Sequence, residues 1–220
     1  MQEKLHFKCI VPATSDILNT PMPLPQRNIA IFCASSDGNQ PLYLDVAREM
    51  GRALAARHYG TVYGGAQVGM MGALANAALA AGGNVIGVIP HVLEKVEITH
   101  RGLTELHITP NMHERKALIA SRSDAFIALP GGIGTFEEIF EVMTWAQLHI
   151  HTKPCLFLNA GGYYDKLLDF MAYVADEGMF RGKNRNLMLV ANTVEDALAQ
   201  IEAHWAEHHS IPRESGLSLT

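Results

Sequence analysis

The residues best suited to chemistry form one glycine-rich turn and two charged side chains. Leu129-Pro130-Gly131-Gly132-Ile133-Gly134-Thr135-Phe136-Glu137-Glu138 follows the apolar run 125–129. A glycine-rich turn that opens a helix at Thr135 presents unpaired backbone N–H groups and the positive end of the helix dipole, which together seat a phosphate. No Gly-Lys-Ser/Thr follows, which argues against a nucleoside triphosphatase loop. Glu138 has two readings. Thr135-x-x-Glu138 satisfies the capping box, in which the glutamate merely reaches back to an amide. Alternatively Glu138 is a carboxylate beside the phosphate seat, with Glu137 and Glu141 close enough to raise its pKa for acid/base work. Arg115, in Asn111-Met112-His113-Glu114-Arg115-Lys116, lies on the helix before the glycine-rich strand. Consecutive units of a parallel sheet place their ligand-facing ends side by side, so the pair can meet; the bland alternative is a solvated Arg-Lys helix face.

Two further loops have the same character. Phe32-Cys33-Ala34-Ser35-Ser36-Asp37-Gly38 offers hydroxyls, Ser35 among them, to a sugar or phosphate, or is simply a serine-rich turn. Tyr63-Gly64-Gly65-Ala66-Gln67-Val68-Gly69-Met70-Met71-Gly72 packs four glycines between a strand and an alanine-rich helix. Gly65 and its neighbours let backbone approach a ligand, or let helix and sheet pack closely. The spacing is not G-x-G-x-x-G, and no acidic residue follows a strand at about 20 residues, so NAD is not indicated.

The elements that must hold these loops read as alternating strands and helices. Apolar runs at 28–33, 61–63, 84–89, 105–108, 125–129, 155–158 and 187–190 alternate with helical stretches at 41–57, 70–80, 111–121, 135–148, 163–175 and 193–204. Leu42, Val46, Met50 and Leu54 form one apolar stripe, and Thr193 with Asp196 resembles an N-terminal cap. This is the pattern of parallel βαβ units, hence an α/β protein with a single doubly wound, mostly parallel sheet whose ligands sit at the carboxyl ends of the strands. The proline-rich residues 1–26 read as a flexible N-terminal extension, residues 27–220 as one nucleotide-binding domain, and the last ten or so residues as frayed.

With the motifs assembled, Met112-His113-Glu114-Arg115-Lys116 and Pro130-Gly131-Gly132-x-Gly134-Thr135-x-x-Glu138 resemble those of the Lonely Guy family, cytokinin riboside 5′-monophosphate phosphoribohydrolases long mislabelled as lysine decarboxylases. The similarity spans about 28–198 and includes both other loops and Thr144-Trp145-Ala146-Gln147-Leu148. The resemblance implies a Rossmann-like fold, hydrolysis of the N-glycosidic bond of an adenosine 5′-monophosphate without a cofactor, and a homodimer with the active site near the subunit interface. It also implies Arg115 and Glu138 as the catalytic pair, Gly131, Gly132, Gly134 and Thr135 as the phosphate loop, and Met112 in the base pocket. Ser35, Gly65 and Lys116 complete the expected substrate contacts. Ala34 and Ala66 stand where many relatives carry glycine, and His149 replaces a common glycine. Rival readings are a general purine or pyrimidine nucleotide nucleosidase acting in salvage, and a non-catalytic nucleotide or molybdenum-cofactor carrier.

Composition narrows the rest. The chain has 220 residues, 48% of them hydrophobic and 18% charged, which suits one core, and no run approaches the roughly 18 apolar residues of a membrane span. A net charge of -5 disfavours a broad nucleic-acid surface, while a small anion remains compatible. Cys9, Cys33 and Cys155 suit neither a disulfide framework nor a zinc ribbon, and fit a cytoplasmic protein. His149 with His151, and His204 with His208, lack a third ligand, so no metal site is expected. No lysine lies in a recognisable pyridoxal-phosphate site, so lysine decarboxylation is not supported.

Overall fold

The computed structural model describes residues 27–94, 99–179 and 187–208. The expected N-terminal extension and the expected C-terminal fray lie outside these residues.

Seven strands form one sheet: β1 (Asn28–Phe32), β2 (Gly60–Tyr63), β3 (Val85–Pro90), β4 (Glu105–Thr109), β5 (Ala125–Ala128), β6 (Cys155–Leu158) and β7 (Met188–Ala191). Their order is β4-β3-β2-β1-β5-β6-β7, and every pairing in the sheet is parallel. The expected mostly parallel sheet is thus parallel throughout. The chain builds outward from β1 to β4, then crosses back to β5 on the other side of β1. The order therefore reverses between β1 and β5, the switch point at which sheets of this kind take a ligand into a crevice outside the carboxyl ends of the strands.

The helices are α1 (Pro41–Ala56), α2 (Gly69–Ala80), α3 (His91–Glu94), α4 (Met112–Arg122), α5 (Ile133–Gln147), α6 (Asp165–Asp176) and α7 (Val194–Glu207). Alternation along β1 shows how the sheet is sandwiched. Ile29 and Ile31 face the layer of α1, α2 and α7, where Val46, Met50, Leu54, Leu74 and Leu198 are buried. Ala30 and Phe32 face α4 and α5, against Ile119, Ile139, Val142 and Met143. Strands covered on both faces read as unbroken apolar runs, which is why they were visible in the sequence. Of the expected α1 stripe, Val46, Met50 and Leu54 are buried while Leu42 is exposed near the outer end.

Two boundaries differ from expectation in ways that bear on the site. Helix α5 starts at Ile133 with Gly132 as its N-cap, so Thr135 lies inside the first turn instead of opening the helix. Helix α6 starts at Asp165, because residues 160–162 form a separate 3-10 turn with Gly161 at φ 61°. The short α3, just after β3, had no counterpart in the expected elements.

Candidate active site

Arg115 reaches the crevice because α4 is fixed from its first turn. The Asn111 side chain accepts from the Glu114 amide at 2.9 Å and caps the helix, and the Thr109 hydroxyl donates to the Asn111 carbonyl at 3.2 Å. Arg115, one turn in, points across the ends of the strands. Its Nε donates to the Val88 carbonyl of β3 at 3.1 Å and its Nη1 to Glu138 Oε1 at 2.6 Å. A methyl group on Gly64, just after β2, would lie 2.6 Å from Arg115 Nη2. That glycine makes room for the guanidinium.

Glu138 comes from the second turn of α5. The capping-box reading is thereby corrected: its carboxylate turns to Arg115, and no side chain caps α5 at all. Both members of the pair are buried, Arg115 6% exposed and Glu138 7%. An isolated charge at such depth would be very costly, so each justifies the other. Burial pushes the Glu138 carboxyl above its ordinary value, while the Arg115 guanidinium acts in the opposite direction. The expected acidic cluster is not the main cause, because Glu137 and Glu141 are both engaged by the Lys116 ammonium, at 2.9 Å in the case of Glu141. Burial acts to lower the Lys116 pKa, and its hydrogen bonds to Glu137 and Glu141 outweigh that and raise it. The solvated-face reading of Arg115-Lys116 fails for both residues, since each crosses to α5.

The loop expected to hold phosphate has an open tip. Gly132, Ile133 and Gly134 are exposed, and a methyl added to Gly132 or Gly134 would meet nothing within 4 Å. Packing therefore does not account for these two glycines, whereas at Gly131 an added methyl would strike the buried Thr135. By contrast α4 and α7 have side-chain caps, from Asn111 and Thr193. At α2 the first amides are already taken, Met70 by the Ser36 carbonyl and Met71 by that of Ala34. The first turn of α5 carries no side-chain cap and lies at the exposed loop tip, an arrangement that could seat an external anion.

The remaining expected residues divide. Ser35 is exposed beside this loop, and the Ala34 amide reaches the Pro130 carbonyl at 3.4 Å, joining the β1 and β5 loops. Met112 is 37% exposed at the start of α4. Gly65 turns the chain after β2 at φ 83°. Gly69 and Gly72 answer to close packing, since added methyls would lie 2.3 Å from the Ser35 backbone and 2.1 Å from the Gln67 carbonyl oxygen. Sequence reading missed Gly64's role and two tyrosines. Tyr163 donates its hydroxyl to the Gly131 carbonyl at 2.6 Å and Tyr164 to that of Leu129 at 2.5 Å. The tandem Tyr-Tyr after Gly161-Gly162 was the available signal.

Among the described residues no three His, Cys, Asp or Glu side chains cluster as metal ligands would. The His204 ring faces the Thr152 carbonyl and stacks on His208. No helix among them is long and apolar enough to cross a membrane.

Comparison with known proteins identifies relatives of the chain. A family model described as "Possible lysine decarboxylase" matches residues 71–201. A cytokinin riboside 5′-monophosphate phosphoribohydrolase of Rhodococcoides fascians is 46% identical over 194 residues, which cover 88% of this chain and 97% of the relative. An Arabidopsis thaliana protein of the same name is 43% identical over 84% of this chain and 87% of its own. Among solved structures, the Moco carrier protein of Chlamydomonas reinhardtii is 22% identical with TM-score 0.63, over 82% of this chain and 98% of that one. The molybdenum cofactor binding protein of Rippkaea orientalis, 21% identical with TM-score 0.62, is similar over 83% and 98%. At such identities these two establish the fold alone.

Proposed function

The chain belongs to the family of cytokinin riboside 5′-monophosphate phosphoribohydrolases, and from that premise we propose how its residues work. The protein is a hydrolase that cleaves the N-glycosidic bond of an N6-substituted adenosine 5′-monophosphate, releasing the free base and ribose 5-phosphate. The observation that carries the residue assignment is the buried contact of Arg115 Nη1 with Glu138 Oε1 at 2.6 Å, beside an uncapped helix N-terminus.

As the bond between C1′ and the base nitrogen breaks, positive charge develops at the sugar, and a carboxylate beside the ring stabilises it. Glu138 supplies that carboxylate and takes a proton from the water whose oxygen bonds to C1′. The base leaves with the bonding electron pair and is protonated by solvent, and Glu138 returns its proton to solvent, so that one water in total is added across the bond. Arg115 holds the carboxylate in place and keeps it ionised against burial. The amides of α5 grip the 5′-phosphate, so that binding energy spent remote from C1′ orients the reacting bond. Met112 and Ser35 border the crevice and contact base and sugar.

A homodimer is the assembly this reading carries. Exposed Ile108, Leu148 and Ile150 are apolar side chains suited to burial against a second copy. A groove of about 370 Å³ between α4 and Trp145 lends further support. A cytoplasmic site of action suits the buried, unpaired Cys33 and Cys155. The carrier reading gains no support from likeness of fold alone, and a buried Arg–Glu pair beside an anion seat favours chemistry over carriage. Comparing rates on AMP and isopentenyladenosine monophosphate tests the substrate class: faster release of the prenylated base is expected, and equal rates on all purine and pyrimidine monophosphates would point to salvage instead.

A further inference from the structure

Tyr163 and Tyr164 grip the phosphate loop at two carbonyls, and the two grips have different consequences. In a trans peptide the carbonyl oxygen and the following N–H point in opposite directions. The Tyr164 hydroxyl holds the carbonyl of Leu129, whose successor is Pro130, so no N–H is oriented by that bond. The Tyr163 hydroxyl holds the carbonyl of Gly131 at 2.6 Å, which turns the N–H of Gly132 the other way. Gly132 is the exposed N-cap of α5 with open space around it.

The same hydroxyl matters for charge as well as direction. A glycine peptide is free to flip, and a Gly131 carbonyl turned toward the crevice would set a negative oxygen against an incoming phosphate. A hydrogen bond on the far side favours one orientation. The Tyr163 ring is itself braced. It meets Tyr43 edge-on at 5.5 Å and Tyr164 at 5.0 Å. Tyr43 lies under Gly38, where a methyl would come within 2.5 Å of the ring and where φ is 73°. Gly38 closes the serine-bearing loop after β1, so a line of aromatic contacts ties that loop to the phosphate loop.

We propose that Tyr163 is a positioning residue for the 5′-phosphate, fixing the Gly131–Gly132 peptide so that its N–H faces the anion. The inference rests on the phosphate seat at α5 assigned above. Tyr163 touches no reacting atom; it selects for substrates bearing a phosphate.

The test uses the full chain as wild type, Tyr163→Phe and Tyr164→Phe. Binding of ribose 5-phosphate and of free adenine is measured by calorimetry, beside kcat and KM for isopentenyladenosine monophosphate and the melting temperature. Removing the Tyr163 hydroxyl leaves its ring contacts intact. It should weaken ribose 5-phosphate binding and raise KM roughly fivefold, the scale of about 1 kcal/mol for one hydrogen bond. Adenine binding should not change, and kcat should fall by no more than KM rises, because the phosphate grip also orients the reacting bond. Tyr164→Phe should lower the melting temperature without that selectivity, because its ring is 1% exposed and its bond orients no amide. If Tyr163→Phe binds ribose 5-phosphate as the wild type does, or loses adenine affinity in equal measure, the proposal is overturned while the phosphate seat stands. If wild-type protein itself does not bind ribose 5-phosphate, the seat fails and this inference falls with it.

Discussion

Arg115 and Glu138 stand 23 positions apart in the chain, on successive helices, and meet in a 2.6 Å hydrogen bond that is almost sealed from solvent. Neither helix would bring its residue there alone. The crossover of α4 to the far side of β1 places the two helices next to each other, and the missing side chain at Gly64 leaves space for the guanidinium.

Activity should fall on the acid side at a pH above the ordinary carboxylate value. Burial raises the Glu138 pKa from 4.5, so the carboxylate proposed to act in catalysis protonates earlier on acidification than an exposed glutamate would. Stability has the opposite sign. A raised folded-state pKa contributes stability that is complete below the unfolded value and is lost as pH rises through the folded one. On mild acidification the enzyme should therefore lose activity while protonation of this group adds to stability. A kcat/KM profile with parallel melting curves checks this; an acid limb at or below 4.5 would count against Glu138 as the titrating group.

Gly64→Ala should impair catalysis more than folding. The added methyl would lie 2.6 Å from Arg115 Nη2 and 3.1 Å from the Met71 sulfur, both side-chain atoms able to shift. Displacing the guanidinium by a fraction of an ångström to about 1 Å should lower kcat on the order of 10²-fold. Steady-state kinetics beside circular dichroism would show it, and wild-type turnover would mean that the Arg115 position is not critical.

His149→Gly should stabilise the protein. His149 occupies the left-handed region at φ 60° where α5 ends, donating its amide to the Ala146 carbonyl at 3.0 Å while Ile150 reaches that of Trp145 at 2.9 Å. This is a Schellman ending, which glycine adopts without strain. Relief of about 0.5–1 kcal/mol is expected. For a domain of this size that raises Tm by roughly 1–4 °C. A thermal melt with unchanged or lower Tm would show that the histidine ring makes a compensating contact.

The sheet was legible because β1, β5 and β6 are covered on both faces and so carry continuous apolar runs. The start of α5 was not, because Gly132-Ile133-Gly134 contains no capping side chain and Thr135 has the chemistry of one. Glu138 illustrates the limit more sharply. Its spacing from Thr135 fits a local cap as well as a catalytic role, and only the tertiary approach of Arg115 decides between them. Lys116 was expected to face substrate, yet it spans to Glu137 and Glu141, a pairing that depends on how α4 lies along α5. Tyr163 was hidden inside an expected helix, because the positive φ of Gly161 and Gly162 that ends the 3-10 turn is a backbone property that residue type alone does not fix.

In the proposed reaction the Glu138 carboxylate performs the hydrolysis while the backbone of α5 binds the phosphate. Glu138→Gln keeps the shape of the side chain and removes its charge, so the direct measurement is release of free base from isopentenyladenosine monophosphate, alongside calorimetric binding of ribose 5-phosphate. Base release should fall on the order of 10³-fold with phosphate binding retained. Base release near the wild-type rate from the folded variant would contradict it.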